Sequence, residues 1–415
     1  MESLSKRSRI MSARRVMVYS ALAFLVLSLI STAVYYFSGY VTDPARAFFE
    51  SVSAFSTTGL SVFPRPSDLP EWLRLFRAAC QWIGGGMSLA VLALIMSSPA
   101  GDSMAGETPE TYYRFGRSFR TAFRRLVLVY LSLTAALILL LIATKLSFAD
   151  ALNVAFATVS TGGMSPGPVL TSGLSETVVM LFMLLTSISY PLYYYAVRKR
   201  SKKLEKNTEV TIYLGLIIAF CVLVSASLVL SGTYSFRESV ELGCFQTVSN
   251  FSTTGFALDD ISGWPSFAQA LLAIASFVGG SSFSLASGIK VARMIVIVKI
   301  LSRSFVVRLH PKAIVSTKLN SVQVPRKMAA QMSTFLLTFF LFFAAGSFII
   351  SFDAPDLQSS LALCASSLTN TGNGFSFPSF IGTLNDFTLI IMSLLMLIGR
   401  MELYALLIPA SGSSS

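Results

Sequence analysis

Four short stretches of this sequence set oxygen-rich residues beside a glycine: Ser56-Thr57-Thr58-Gly59, Ser160-Thr161-Gly162-Gly163, Ser252-Thr253-Thr254-Gly255 and Thr369-Asn370-Thr371-Gly372. None holds a carboxylate, histidine or lysine that would move a proton, so acid–base catalysis is not their chemistry. They supply oxygen ligands instead. Consecutive main-chain carbonyls, aimed by the dihedrals that glycine permits, are the donor set of a dehydrated alkali cation, and hydroxyls add ligands or anchor the turn. One copy reads as an ordinary polar turn. Four copies, each following a short apolar run and lying between two long ones, read as the four sides of one ring.

The elements that must position these stretches are legible in the apolar pattern. Runs long enough to cross a bilayer fall at 16–37, 72–96, 122–143, 177–197, 210–231, 269–301, 328–351 and 387–408. The apolar pieces just before the four glycines are only about 10 to 15 residues, the length of a re-entrant half-helix rather than a span. Start signals stand at Asp43-Pro44, between Ser147 and Asp150, at Ser235 with Glu238 as a capping box, and between Asp353 and Asp356. Four half-helices starting on one side aim their C-terminal, negative dipole ends at mid-membrane, where a cation is favoured. Non-helical backbone after them is tolerated only where it lines water or is buried in protein.

The predicted fold is therefore an all-α membrane protein in which a unit of spanning helix, pore helix and spanning helix (M1–pore helix–M2) recurs four times around a pseudo-fourfold pore. The boundaries are a basic N-terminus at 1–15, repeat 1 at 16–98, a linker at 99–121, repeat 2 at 122–200, repeat 3 at 201–303, a linker at 304–327, repeat 4 at 328–410 and a flexible tail at 411–415.

Composition agrees: 13% of the 415 residues are charged and 53% hydrophobic. The net charge of +12 raises nucleic-acid binding, but 22 of the 32 basic residues fall in alternate loops, which places both termini in the cytoplasm and assigns the charge to topology and lipid contact. Thirteen of the 20 acids, Glu50 and Asp259 among them, fall in the opposite, outer stretches, where they concentrate cations at a mouth. Four dispersed cysteines and a single histidine, His310, leave a metalloenzyme or a nucleophilic enzyme no material, so the reading is not an enzyme and has no cofactor.

Two features interrupt the spans. Gly279-Gly280-Ser281-Ser282-Phe283-Ser284-Leu285-Ala286-Ser287-Gly288 breaks the sixth run and reads as an unwound hinge or plug, or as a kinked helix packing through small residues. Arg400 puts a charge inside the last run, which costs at least about 2.5–3.5 kcal/mol unpaired and so demands a partner or a watery cavity. Glu402 is one candidate partner, although residues two apart on a helix do not share a face.

With these elements assembled, the sequence resembles the potassium transporter superfamily that includes the TrkH and KtrB membrane subunits, over nearly its whole length. The four glycine stretches carry the likeness, together with Asn373-Gly374, Trp82-Ile83-Gly84-Gly85 and Gly399-Arg400-Met401-Glu402-Leu403. Starting directly with the first repeat helix is similar to KtrB, though the two subgroups are not separated by these motifs. The resemblance implies potassium (K+) as substrate and uptake across the cell membrane. Selectivity would come from one glycine per loop, carried onto Gly59, Gly163 (or Gly162), Gly255 and Gly372, with Thr57, Thr58, Thr161, Thr253, Thr254, Asn370 and Thr371 beside them. It implies a gate beneath the filter made of Gly279, Gly280, Ser281, Ser282, Phe283, Ser284 and Gly288 with Arg400, and Lys290 either acting there or snorkelling to the inner surface. Phe283, Leu285 and Ser287 depart from the small residues of that segment. A homodimer is implied, and so is a separate cytoplasmic nucleotide-binding ring, for which the basic loops at 198–206 and 303–327 are docking surfaces or only topological signals. The competing reading is a secondary transporter of another small solute or cation that uses broken helices.

Overall fold

The computed structural model describes residues 2–64, 66–97, 118–164, 173–197, 207–310, 318–319, 322–324, 326–372 and 380–401. Glu402, Asn373-Gly374, the tail at 411–415 and most of the basic loops lie outside them.

The chain is helical. A long helix, α1 (Glu2–Phe37), leads to a half-helix, α2 (Pro44–Phe55), and to α3 (Glu71–Ser97). The pattern recurs as α4 (Phe119–Ala143), α5 (Phe148–Val159) and α6 (Gly173–Ser187) with α7 (Tyr190–Val197). It appears again as α8 (Thr208–Ser231), α9 (Phe236–Phe251) and α10 (Ser266–Phe277) with α11 (Val291–Leu309), and last as α12 (Arg326–Ile350), α13 (Leu357–Thr369) and α14 (Asp386–Arg400).

Each half-helix starts where a side chain takes an orphan N–H. Asp43 accepts from the Ala45 amide, Ser147 from Asp150, Asp356 from Ser359, and Ser235 forms a reciprocal box with Glu238. At 12 to 16 residues the half-helices extend about 18–24 Å, short of a roughly 30 Å hydrocarbon core.

Five described helices are each long and apolar enough to cross a membrane: 18–37, 71–97, 119–143, 208–231 and 330–350. The expected continuous span at 177–197 is instead two helices. Pro191 has no N–H to give the Ser187 carbonyl, so the helix opens at Ile188-Ser189. The sixth run also divides, as its small polar residues predict. Residues 278–290 leave helical geometry and close on themselves through a two-residue parallel pairing, Val278 opposite Ile289 and Gly279 opposite Lys290.

The apolar core forms where the half-helices meet the long helices. One cluster joins α3 to α6 with α8 and α9 through Leu89, Tyr130, Val154, Phe182 and Phe251; another joins α2 to α12–α14 through Phe49, Phe339, Leu363 and Met392. Trp82 of α3 stacks between Tyr130 of α4 at 5.5 Å and Phe156 of α5 at 5.0 Å, locking long helices to a half-helix. Gly84 and Gly399 let α3 and α14 approach the ends of α2 and α13 so closely that a Cβ would overlap the Phe55 and Leu368 carbonyls.

Candidate functional site

The backbone does the same thing after every half-helix. Thr57, Thr161, Thr253 and Asn370 adopt the left-handed region with φ of 55°, 57°, 53° and 53°, and two residues later Gly59, Gly163, Gly255 and Gly372 return to positive φ at 90°, 62°, 76° and 67°. A left-handed β-branched residue is an outlier costing about 1–3 kcal/mol, and its recurrence in three of four loops marks a built feature. The residues between, Thr58, Gly162, Thr254 and Thr371, keep ordinary φ. Gly163 therefore holds the position equivalent to the other three glycines. Gly162 is needed for a different reason: a Cβ there would strike the Gln81 amide at 2.6 Å.

The loops abut at three junctions, first with second, second with third and fourth with first. A Cβ on Gly59 would overlap the Gly162 carbonyl oxygen, one on Gly163 the Thr254 oxygen and one on Gly372 the Thr58 oxygen. In these contacts carbonyls of equivalent residues lie against the glycine of a neighbouring loop.

Hydroxyls hold this backbone. Ser56 and Thr58 pair at 2.7 Å, Ser252 and Thr254 at 2.8 Å, Thr369 and Thr371 at 2.8 Å. Ser53 donates to the Leu60 carbonyl at 2.5 Å and the equivalent Ser249 to Phe256 at 2.7 Å. Asn370 Nδ2 bridges loops by donating to Thr58 Oγ1 at 2.8 Å, and Gln81 Nε2 donates to the Gly162 carbonyl at 2.7 Å.

Glu50, expected on the outer surface, is buried at 0% exposure behind the first loop. It forms an ion pair with Arg77 at 2.6 Å, accepts from the Val62 amide at 3.0 Å, and Arg77 also donates to Ser61 at 2.8 Å. Burial is affordable to a charge only with such complete pairing. Asp259 does remain near the surface. Burial opposes its charge, but donors from Tyr234 at 2.5 Å and Trp264 at 3.3 Å outweigh that and hold its carboxyl below the usual aspartate range.

The unwound segment 278–290 hangs from two of these loops. Ser287 N donates to Thr253 Oγ1 at 2.9 Å and Thr161 Oγ1 donates to the Leu285 carbonyl at 3.3 Å. Arg400, 7% exposed, donates to the Leu285 carbonyl at 3.0 Å, to Ser287 Oγ at 2.9 Å and to Ser88 Oγ at 2.7 Å. These three partners belong to the loop and to α3. Lys290 is buried at 3% exposure and donates to the Ser284 and Ala286 carbonyls, so it does not snorkel. Phe283 is buried in the left-handed region, φ 60°. Beside Arg400, Ser88, Val91 and Ser287 line a cavity of about 30 Å³, room for about one water.

Among known proteins, the profile of the TrkH family, described as a cation transport protein, matches residues 5–414. The chain belongs to the TrkH family. It is 28% identical over 405 residues to the Trk system potassium uptake protein TrkH of Halomonas elongata, covering 94% of this chain and 83% of that protein. Escherichia coli K12 TrkH is 29% identical over 383 residues, 89% of this chain and 78% of that one. The crystal structure of the potassium transporter TrkH from Vibrio parahaemolyticus superposes with a TM-score of 0.86 at 25% identity, over 96% of this chain and 85% of that one. This TrkH-family chain is thus a multi-pass membrane protein of a transporter family and not an enzyme.

Several residues that organise the site escaped the sequence reading. Gln81, Glu50 with Arg77, Glu209 and Pro191 act across elements far apart in the chain. All but Glu209, which lies just before a run, nevertheless left a signal, being a polar residue or a proline inside an otherwise apolar stretch.

Proposed function

We propose that this TrkH-family chain takes up potassium across the cell membrane through a selectivity filter formed by the four glycine loops. Segment 278–290 and Arg400 close the path beneath it. The single observation that carries the reading is the repeated alternation of φ, left-handed at Thr57, Thr161, Thr253 and Asn370 and positive again at the four glycines. Alternating handedness turns successive carbonyls to one side, and four loops, abutting at the three junctions described, gather those carbonyls at a shared axis, where they replace a cation's hydration shell. The C-terminal ends of four half-helices add negative potential there. Potassium is the cation in the names of the relatives above.

Arg400 and Lys290 contribute positive charge under the ring, and Leu285 and Ser287 occupy the way out. This arrangement supports a closed gate. Charge distribution supports cytoplasmic termini and an acidic outer mouth. A homodimer and a cytoplasmic nucleotide-binding ring docking on the basic loops complete the proposal.

The test is flux in liposomes with potassium, rubidium, sodium and lithium. Gly255→Ser places a Cβ at φ 76° and is expected to lower the potassium-to-sodium ratio by about tenfold or more. An unchanged ratio in functional protein would sink the filter assignment. The broken helices α6/α7 and α10/α11 favour a second reading, a secondary transporter of another small solute or cation. It predicts saturable solute uptake without cation current.

A further inference from the structure

The gate loop is held on two flanks, and only one of them involves Arg400. Residues Leu285 and Ser287 are tied to Arg400, Thr161 and Thr253. Three consecutive residues before them, Ser281, Ser282 and Phe283, are tied through their main chain to elements that have no part in the filter. Ser281 N donates to the Ser187 carbonyl at 2.9 Å, Ser282 N to Glu209 Oε1 at 2.6 Å, and the Phe283 carbonyl accepts from Tyr190 N at 3.2 Å.

The chain supplies each anchor for a local reason. In an unbroken helix the Ser187 carbonyl would accept from the residue four further on, but that residue is Pro191, which has no N–H. The carbonyl is left to bond elsewhere, and the same break turns the Tyr190 amide toward Phe283. Gly280 makes the approach possible, since a Cβ there would lie 2.6 Å from the Ser187 oxygen. Glu209 stands in the first turn of α8 and is 1% exposed. The start of that helix is already capped by Asn207, whose side chain accepts from Glu209 N at 3.1 Å, so the carboxylate is not needed there and reaches the loop. A carboxylate this fully buried is a costly group to retain without a task. Between the anchors Phe283 is kept left-handed, a conformation that persists only where its surroundings over-determine it.

We infer that Glu209 and the helix break at Pro191 form a latch that holds the gate loop closed through contacts separate from those of Arg400, so that opening requires release of the Ser281–Phe283 main chain. The inference rests on the gate reading above. Glu209 is a positioning residue here: it touches the loop and not the ion.

The test uses the full chain in liposomes, with rubidium flux normalised to folded protein. Glu209→Ala is expected to raise basal flux by about tenfold. Glu209→Gln, whose amide oxygen still accepts from Ser282 N, stays within about twofold of the parent, a rescue that a role resting on the negative charge would not predict. Pro191→Ala returns an N–H to the helix, recaptures the Ser187 carbonyl and also raises flux, with the potassium-to-sodium ratio unchanged. Pro191→Ala decides alone if Glu209→Ala fails to fold. Parent-level or lower flux in both variants, with flux raised in Arg400→Ala, overturns the latch and leaves the gate reading standing. Parent-level flux in Arg400→Ala as well overturns both.

Discussion

Behind the first loop two charges sit where water does not reach: Glu50 at 0% and Arg77 at 2% exposure. The positions equivalent to Glu50, nine residues before each glycine, are Val154, Gln246 and Leu363, so no other loop has a carboxylate there. The ascending backbone at Ser61-Val62 is thereby fastened in repeat 1 by a carboxylate, a residue type the equivalent positions of the other three do not carry. Removing one member strands the other without a partner, which typically costs about 3–5 kcal/mol. Glu50→Gln is accordingly expected to lower the thermal unfolding midpoint in detergent, and the double replacement Glu50→Leu with Arg77→Met to recover most of the loss. A single replacement as stable as the parent would refute the assigned role. At this scale the sequence was legible where a residue type is diagnostic by itself, as with the four glycines. It was misleading at Glu50, whose place in an outer stretch concealed its burial.

Helix starts were the best-read elements, because an N-cap is a local device: the residue that takes the orphan amide lies within three positions of it. The capping box of α9 provides a pH test. Hydrogen bonds from the Ser235 side chain and backbone hold the Glu238 carboxyl below the usual glutamate range. A depressed carboxyl contributes stability that is present above its unfolded value, near 4.3, and lost as pH falls through the lower folded value. Acidification below about pH 4 should therefore loosen α9 in the parent. In Glu238→Gln that acid-dependent component should be missing. Hydrogen exchange across 236–241 at pH 3.5 and 7 measures it, and identical acid responses in both proteins would rule the box out as a contributor. The break between α6 and α7 was the worst-read element. Pro191 is visible in the run, but hydropathy averages over it, and what compensates the broken helix is a loop about 90 residues away.

Across the whole molecule, the proposed function joins a filter, an acidic mouth and a gate anchored on three repeats. Even without Glu50, twelve acids remain in the outer stretches, and their field should raise the local cation concentration at low ionic strength. At fixed low potassium, raising an inert salt from about 10 mM to 1 M shrinks the screening length from about 30 Å to 3 Å. Initial uptake is expected to fall several-fold, and the fall should be smaller after Asp259→Asn and Asp260→Asn. Uptake insensitive to salt would exclude electrostatic focusing.

By itself the sequence determined the membrane class, the fourfold recurrence and the starts and lengths of the half-helices. Each of these follows from apolar run length, local capping and the dihedral freedom of glycine, and none depends on a distant partner. Tertiary structure decided which glycine of the Gly162-Gly163 pair carries the positive φ, where Glu50 and Arg77 hide, which oxygens receive Arg400 and Lys290, and how Glu209 and Pro191 hold the loop. These are satisfactions of buried polar groups, and a buried donor takes whichever acceptor the packed chain brings within about 3 Å. That proximity is created by helices far apart in sequence, so no local pattern encodes it.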